Sequence, residues 1–123
     1  MYKKYIFLCL VASITASWAC PLRTYDAKAF QEAQDAKKII IVQFGKQGCQ
    51  TCQSQDANLT KLKHTYTTAA FFKADVDQDT ALMKKWNVEQ KGTVIAIKDG
   101  KEIDRMTNEA DVTDFVKKVA SPA

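Results

Sequence analysis

The chain has 123 residues and a formal net charge of +4, with acids and bases mixed along its length. This length accommodates one domain with a proper core and is too short for two. Lys3 and Lys4 carry half of the net charge, and the remainder forms no basic patch of the kind that nucleic-acid binding requires. We therefore expect one domain and no nucleic-acid partner.

The first segment is typical of a secretory signal peptide. Two lysines precede the apolar stretch 5–16, and Ser17 and Ala19 are the small residues that a signal peptidase inspects. The apolar stretch is shorter than the roughly 20 residues of a membrane span, although a retained anchor is the alternative. We predict a signal peptide over 1–19 and one domain over 20–123 of an exported protein, periplasmic if the source is bacterial.

Cysteine counting leaves one thiol without a partner. The chain has four cysteines, and Cys9 would leave with the signal. Cys49 and Cys52 form a close pair, so Cys20 is the spare. A cysteine at the start of an exported chain is a candidate for lipidation, which would make the protein a membrane-attached lipoprotein. The bulky Trp18 argues against lipidation, and a free thiol or a mixed disulfide is the alternative.

The first half of the domain is predicted to form a helix, a strand and a second helix. Asp26 is a candidate N-cap for a helix that ends near Lys38. The run 39–44 is apolar except for Gln43 and is rich in β-branched residues, which is typical of a strand covered on both faces. From Cys49 to about Tyr66, apolar residues recur at helical spacing.

The second half is predicted to form a strand, a short helix, a β-hairpin and a last helix. The strand covers 71–76, and Asp79 is the candidate cap of the short helix. Asp99-Gly100 supplies the positive φ angles of a type I′ turn, which predicts the hairpin. Asn108 is the candidate cap of the last helix, whose apolar residues follow helical spacing.

Residues 49–52, Cys-Gln-Thr-Cys, lie between the first strand and the helix that follows it. At a helix N-terminus, unpaired backbone N–H groups and the helix dipole stabilise a thiolate, which favours a redox pair. Half of a metal site is a second interpretation, but only His64 and Cys20 remain as further ligands, neither at ligand spacing. An inert disulfide is the third, although so small a loop constrains the unfolded chain little.

The order of the elements resembles the thioredoxin fold over nearly the whole domain. Asp75-Val76-Asp77 and the segments 81–88 and 93–102 look like the second half of thioredoxins. They are most similar to exported domains related to the C-terminal domain of the transmembrane thiol:disulfide interchange protein. The resemblance implies an α/β thioredoxin-like fold, with a mixed central sheet of about four strands and helices on both faces.

The resemblance also implies a protein thiol-disulfide oxidoreductase. Cys49 would be the exposed nucleophile and Cys52 the buried resolving thiol, exchanging disulfides with protein substrates and with a redox partner protein. Gln50 and Thr51 would tune the reduction potential. No cofactor and no metal is implied, and we expect a monomer.

Several positions depart from the family pattern, and three of them lie at the predicted site. Gly92, followed by Thr93, falls where thioredoxins carry a cis-proline that faces the dithiol and contacts the substrate. A cis bond before a residue other than proline costs about 2.5–4 kcal/mol, so we expect a trans bond there. Gly48 stands where the family has a tryptophan before the first cysteine, and Gln43 stands where it has a buried aspartate. A glutamine amide cannot act as a base, as that aspartate does. We expect Gly92, Thr93 and Gly48 to contact the substrate.

Two other functions stay open at this point. A thioredoxin-like binding module that keeps the cysteine pair as a stable disulfide agrees with the lost proline, tryptophan and aspartate. Metal capture by Cys49 and Cys52, with two chains supplying four sulfur ligands, is the other.

Overall fold

The computed structural model describes residues 22–120, so the predicted signal peptide 1–19 and Cys20 lie outside the described residues. In this range the helices and strands follow one another in the order β1 (Arg23–Thr24), α1 (Ala27–Asp35), β2 (Ile40–Gly45), α2 (Gln50–Thr65), β3 (Ala70–Asp75), α3 (Thr80–Lys85), β4 (Thr93–Lys98), β5 (Lys101–Thr107) and α4 (Thr113–Ala120). Across 22–120, none of the helices has the length and apolar character to cross a membrane.

The five strands form one mixed sheet in the order β1-β3-β2-β4-β5. β1, β3 and β2 run parallel, whereas β4 is antiparallel to β2 and β5 is antiparallel to β4. The predicted α/β fold with a mixed sheet is confirmed. The fifth strand, β1, was not predicted, because two residues are too short to show an alternating pattern. Its backbone pairing with β3 defines it instead.

Each face of the sheet carries its own apolar cluster. Alternation along β2 sends Val42 and Phe44 to the face covered by α1 and α3, and sends Ile41 to the face covered by α2 and α4. These three side chains have no exposed surface. A fully buried aliphatic or aromatic side chain stabilises a fold by about 1.5–3 kcal/mol. β2 is therefore the central strand, as its sequence predicts.

Two local signals are confirmed by the hydrogen bonds and dihedral angles. The Asp26 carboxylate accepts a hydrogen bond from the Ala29 N–H at 3.0 Å, which caps α1. Asp99 and Gly100 have φ angles of 53° and 77°, and they join β4 to β5 in the predicted hairpin.

Two predicted caps are wrong. Asp79 precedes α3 as predicted, but its carboxylate accepts from the Asp75 N–H at 2.8 Å and makes no bond to the helix. α4 does not begin after Asn108, which has a φ of 65°. It begins at Thr113, where the Asn58 side chain on α2 accepts the N–H of the preceding residue at 2.7 Å. The Asp111 carboxylate also accepts the Thr113 N–H at 2.9 Å, so one local and one distant side chain hold the start of α4. Only the distant contact lies beyond the reach of local sequence rules.

The ion pair between Lys118 of α4 and Asp104 of β5 has a testable pH dependence. The hydrogen bond from Lys118, at 3.1 Å, lowers the pKa of the Asp104 carboxyl below its ordinary value of 3.8. A lowered pKa in the folded state means that the stabilisation is present above the unfolded pKa and is lost as the pH falls through the folded pKa. Lys118→Met should therefore cost no more than about 1 kcal/mol near neutral pH, because Lys118 is exposed and Asp104 is only half-buried.

Urea unfolding of wild type and Lys118→Met, followed from neutral to strongly acid pH, measures this contribution. The difference in unfolding free energy should shrink to nothing at acid pH. Lys117→Met, at the exposed neighbouring lysine, is the matched control and should show no such convergence. A constant difference for Lys118→Met at every pH would mean that its side chain contributes packing rather than charge.

Candidate active site

Cys49 and Cys52 form a disulfide at the start of α2, with their Cα atoms 5.2 Å apart. β2 ends at Gly45, and the exposed loop 46–48 leads to Cys49. Cys49 is the N-cap of α2, and its Sγ accepts a hydrogen bond from the Cys52 N–H at 3.1 Å. The strand, turn and helix therefore place the first sulfur where a helix presents its unpaired N–H groups. This is the location that the sequence predicts.

The predicted exposure of Cys49 is wrong for this disulfide form. Cys49 is 7% exposed and Cys52 is 4% exposed, so both residues are buried. The Cys49 sulfur lies over the first turn of the helix. There it forms the disulfide with the Cys52 sulfur and accepts a hydrogen bond from the Cys52 N–H. Gly48, by contrast, is exposed, with a φ of 86°, and has open space around it. Gln50 is also exposed, and Thr51 is half-buried.

Gln43 lies beneath the dithiol turn and is 3% exposed. Its Nε2 donates to the Cys52 carbonyl oxygen at 3.0 Å. Gly45 leaves room for this amide, because a Cβ at Gly45 would lie 3.1 Å from the Gln43 Nε2 and 3.3 Å from the Cys52 Cβ. A side-chain amide donates and accepts hydrogen bonds but does not titrate. Gln43 therefore holds the turn in place and cannot take a proton from Cys52.

Gln55 is a site residue that the sequence analysis did not single out. It is completely buried on α2, although glutamine in a helix is usually exposed. Its Nε2 donates to the carbonyl oxygens of Gly92 and Glu109, both at 2.8 Å. Its Oε1 accepts from the Gln43 Nε2 at 3.4 Å. Helical spacing alone gives no signal for this residue, since Gln55 is polar.

Gly92 and Thr93 lie beside this network, at the start of β4. The Gly92 N–H donates to the Phe44 carbonyl at 2.7 Å, and the Thr93 hydroxyl donates to the Gln90 carbonyl at 2.8 Å. Both residues are buried, and Gly92 has a φ of 79°. Throughout residues 22–120 every peptide bond is trans. The structure therefore brings Gly92 and Thr93 to the dithiol end of the sheet, with their backbone held from within.

A polar cavity of about 580 Å³ opens beside Cys52. Gln43, Cys52, Asp56 and Lys73 are among its lining residues, and the Lys73 ammonium lies 3.6 Å from the Asp56 carboxylate. The cavity gives solvent a route to the inner side of the dithiol turn. Lys46 and Gln47 of the loop before Cys49 also line the cavity, whereas Cys49 itself does not.

Among the described residues, no further side chains join Cys49 and Cys52 as ligands for a metal ion. Residues 22–120 contain no group of three or more histidine, cysteine, aspartate or glutamate side chains that could hold a metal ion. His64 is exposed in the last turn of α2, at the far end of that helix from Cys49.

Comparisons with known proteins agree with this architecture. The family model described as Thioredoxin matches residues 21–121. A thioredoxin H-type of Picea mariana is 34% identical over 93 residues, which cover 76% of this chain and 74% of that protein. Thioredoxin H-type 1 of Nicotiana tabacum is 30% identical over 96 residues, covering 76% of each. The chain spans 59% of the length of thioredoxin H10 of Arabidopsis thaliana.

Solved structures show the same fold. Fasciola hepatica thioredoxin superposes with a TM-score of 0.65 at 30% sequence identity, covering 75% of this chain and 86% of that one. Trxlp from Edwardsiella tarda superposes with a TM-score of 0.72 at 24% identity, covering 80% of this chain and 98% of that one. With the cysteine pair at the start of α2, the mixed sheet and the family match over nearly the whole domain, this chain belongs to the thioredoxin family.

Proposed function

We propose that this protein is a thiol-disulfide oxidoreductase acting on protein substrates, with Cys49 as the nucleophile and Cys52 as the resolving thiol. The observation that supports this most is the hydrogen bond from the Cys52 N–H to the Cys49 Sγ at the first turn of α2. In the reduced protein, the same N–H group and the helix dipole stabilise a thiolate on Cys49.

The exchange proceeds in two steps. The Cys49 thiolate attacks one sulfur of a substrate disulfide, and the other substrate sulfur leaves as a thiolate that takes a proton from solvent. Cys52 then loses its proton and attacks the Cys49 sulfur, which forms the Cys49–Cys52 disulfide and releases the second substrate thiolate. Two electrons pass from the dithiol to the substrate. Because Gln43 is not a base, water in the cavity beside Cys52 accepts the Cys52 proton.

Substrate contact is proposed for the surface around the dithiol turn. By the family resemblance, Gly92 occupies the cis-proline position, and Thr93 and Gly48 complete the contact surface. Gln50 and Thr51 tune the potential from inside the motif. No cofactor takes part, and the direction of exchange depends on the reduction potential and on the redox partner protein.

Export is part of the proposal and rests on the sequence alone. A signal peptide over 1–19 would send the domain to the periplasm of a bacterium, in keeping with the resemblance to the C-terminal domain of the transmembrane thiol:disulfide interchange protein. The exported protein is proposed to be a monomer, attached to a membrane only if Cys20 carries lipid. Mass spectrometry of the mature N-terminus tests the signal cleavage site and the lipid attachment, since an unmodified Cys20 excludes the lipid.

A binding module with a stable disulfide is the second candidate. The observation in its favour is the low exposure of both cysteines, 7% for Cys49 and 4% for Cys52, which limits the access of a substrate disulfide. Exchange would then need the first turn of α2 to open.

The reduction potential of the Cys49/Cys52 pair distinguishes the two candidates. It is measured against glutathione in the chain with Cys9 and Cys20 replaced by serine, so that only this pair remains. We expect a value between about −270 and −120 mV, the range of exchange enzymes, with its position indicating a reductant or an oxidant. A pair that resists reduction to below about −300 mV is a structural disulfide and supports the binding module.

A further inference from the structure

Gln55 connects the dithiol turn to two loops at the same end of the sheet. Two consecutive hydrogen-bonded amides, those of Gln43 and Gln55, link the Cys52 carbonyl to the Gly92 carbonyl. The second hydrogen of the Gln55 Nε2 is donated to the Glu109 carbonyl at 2.8 Å. Two buried side chains in contact, Gln43 and Gln55, therefore join the turn at Cys52 to the loop before β4 and the loop after β5.

The loop before β4 is held from several sides at Gly92. Besides Gln55, the Asn108 N–H donates to the Gly92 carbonyl at 2.9 Å, and the Gly92 N–H donates to the Phe44 carbonyl. The outer part of this loop, residues 89–91, is exposed. The exposed part thus projects from a fixed base, and that base is fixed relative to Cys52 through Gln55.

A buried side-chain amide needs partners for all of its N–H and C=O groups. Burying an unpaired amide destabilises the fold more than burying an apolar side chain in the same place. Gln55 meets this need, since both of its N–H groups and its oxygen have partners on three different segments. An apolar residue would fill the same space but would leave the Gly92 and Glu109 carbonyls with one donor fewer. The glutamine therefore does more than fill the space between α2 and the sheet.

We propose that Gln55 is a positioning residue for exchange with polypeptide substrates, and this inference rests on the proposed function. It keeps the loops at Gly92 and Glu109 in register with the dithiol turn, so that a polypeptide meets a preformed surface beside Cys49. A preorganised surface lowers the cost of docking a large substrate. A small disulfide contacts only the sulfurs and needs no such surface.

The experiment compares two substrates in the full chain with Cys9 and Cys20 replaced by serine. The reduced protein is mixed with insulin, a protein disulfide, or with hydroxyethyl disulfide, a small one. Gln55→Met should slow insulin reduction about tenfold or more, because a displaced docking surface misaligns the reacting sulfurs. The rate with hydroxyethyl disulfide should stay within about twofold of wild type, since Gln55 touches neither sulfur.

Asn58→Leu is the matched control on the same helix. The Asn58 Oδ1 accepts the Val112 N–H at 2.7 Å, so this variant also removes a hydrogen bond between α2 and the segment before α4. Val112 lies in the same loop after β5 as Glu109, but this variant leaves both Gln55 hydrogen bonds in place and does not touch the Gly92 loop. It should lower stability while leaving the ratio of the two rates at the wild-type value.

Gln55→Ser covers the case in which Gln55→Met does not fold. The smaller side chain leaves room for water to satisfy the carbonyls of Gly92 and Glu109 while the fixed link is lost. It should show the same selective loss with insulin, together with faster hydrogen exchange at the amides of Gly92 and Asn108. Equal changes with both substrates, or none, would overturn the role of Gln55. A wild-type chain that reduces neither substrate would overturn the proposed function, and this inference with it.

Discussion

Replacing Gly92 with proline is expected to lower the free energy of unfolding by about 3 kcal/mol or more. Gly92 has a φ of 79°, whereas the proline ring fixes φ near −65°. The substitution also removes the N–H that donates to the Phe44 carbonyl at 2.7 Å. Phe44 is a fully buried residue of the central strand, so its carbonyl would lose this donor inside the core.

Gly92→Ala is the control that separates the two effects. Alanine keeps the N–H, and its Cβ would have room, since the nearest side-chain atom is the Asn108 Oδ1 at 3.7 Å. It should cost only about 1–2 kcal/mol, the penalty of a left-handed backbone for an L-residue. Urea unfolding of both variants measures the difference. A proline variant as stable as wild type would mean that the loop adopts another conformation and that Gly92 simply replaces a proline.

This result bears on the metal hypothesis as well. Loss of metal binding in Gly92→Pro would be expected from the damaged loop alone, so this variant does not test whether Cys49 and Cys52 capture a metal ion. Gly92→Ala is the better variant for that purpose, because it keeps the loop hydrogen bonds while adding a side chain. A metal that stays bound to this variant with two chains per ion would support capture by four sulfurs.

Most of the fold could be predicted because its signals are local. The apolar run that becomes β2 and the Asp99-Gly100 turn are each encoded within a few residues. The predicted strands 39–44 and 71–76 differ from β2 and β3 by one residue. The position of the cysteine pair at a helix start follows from the same local order of strand, loop and helix.

The parts that were missed depend on contacts between distant residues. The segment before α4 is held by Asn58 of α2, which accepts the Val112 N–H, and β1 exists through its pairing with β3. Gln55 is buried because two loop carbonyls require donors, and neither loop is close to it in sequence. The burial of Cys49 was missed for a different, local reason: in the closed disulfide with Cys52, its sulfur packs over the first turn of the helix. Periodicity and capping rules do not contain this information.

Replacing Cys49 with serine should abolish disulfide exchange, by more than about a thousandfold, because a serine hydroxyl does not form the anionic nucleophile at neutral pH. Replacing Cys52 with serine should have a different result. Cys49 can still attack a substrate disulfide, but no second thiol resolves the product. Cys52→Ser should therefore accumulate a mixed disulfide with insulin, which mass spectrometry detects in the chain with Cys9 and Cys20 replaced by serine.

The asymmetry between the two variants tests what assigns the roles of the two sulfurs. Their exposures, 7% and 4%, are too similar to distinguish them. The hydrogen bond distinguishes them. Only the Cys49 Sγ accepts the Cys52 N–H at the helix N-terminus, where the positive end of the helix dipole stabilises negative charge on sulfur. A mixed disulfide formed by Cys49→Ser instead would reverse the assignment and show that the helix start does not decide it. If neither variant forms one while the wild-type disulfide also resists reduction, the pair is structural and the binding module is the correct function.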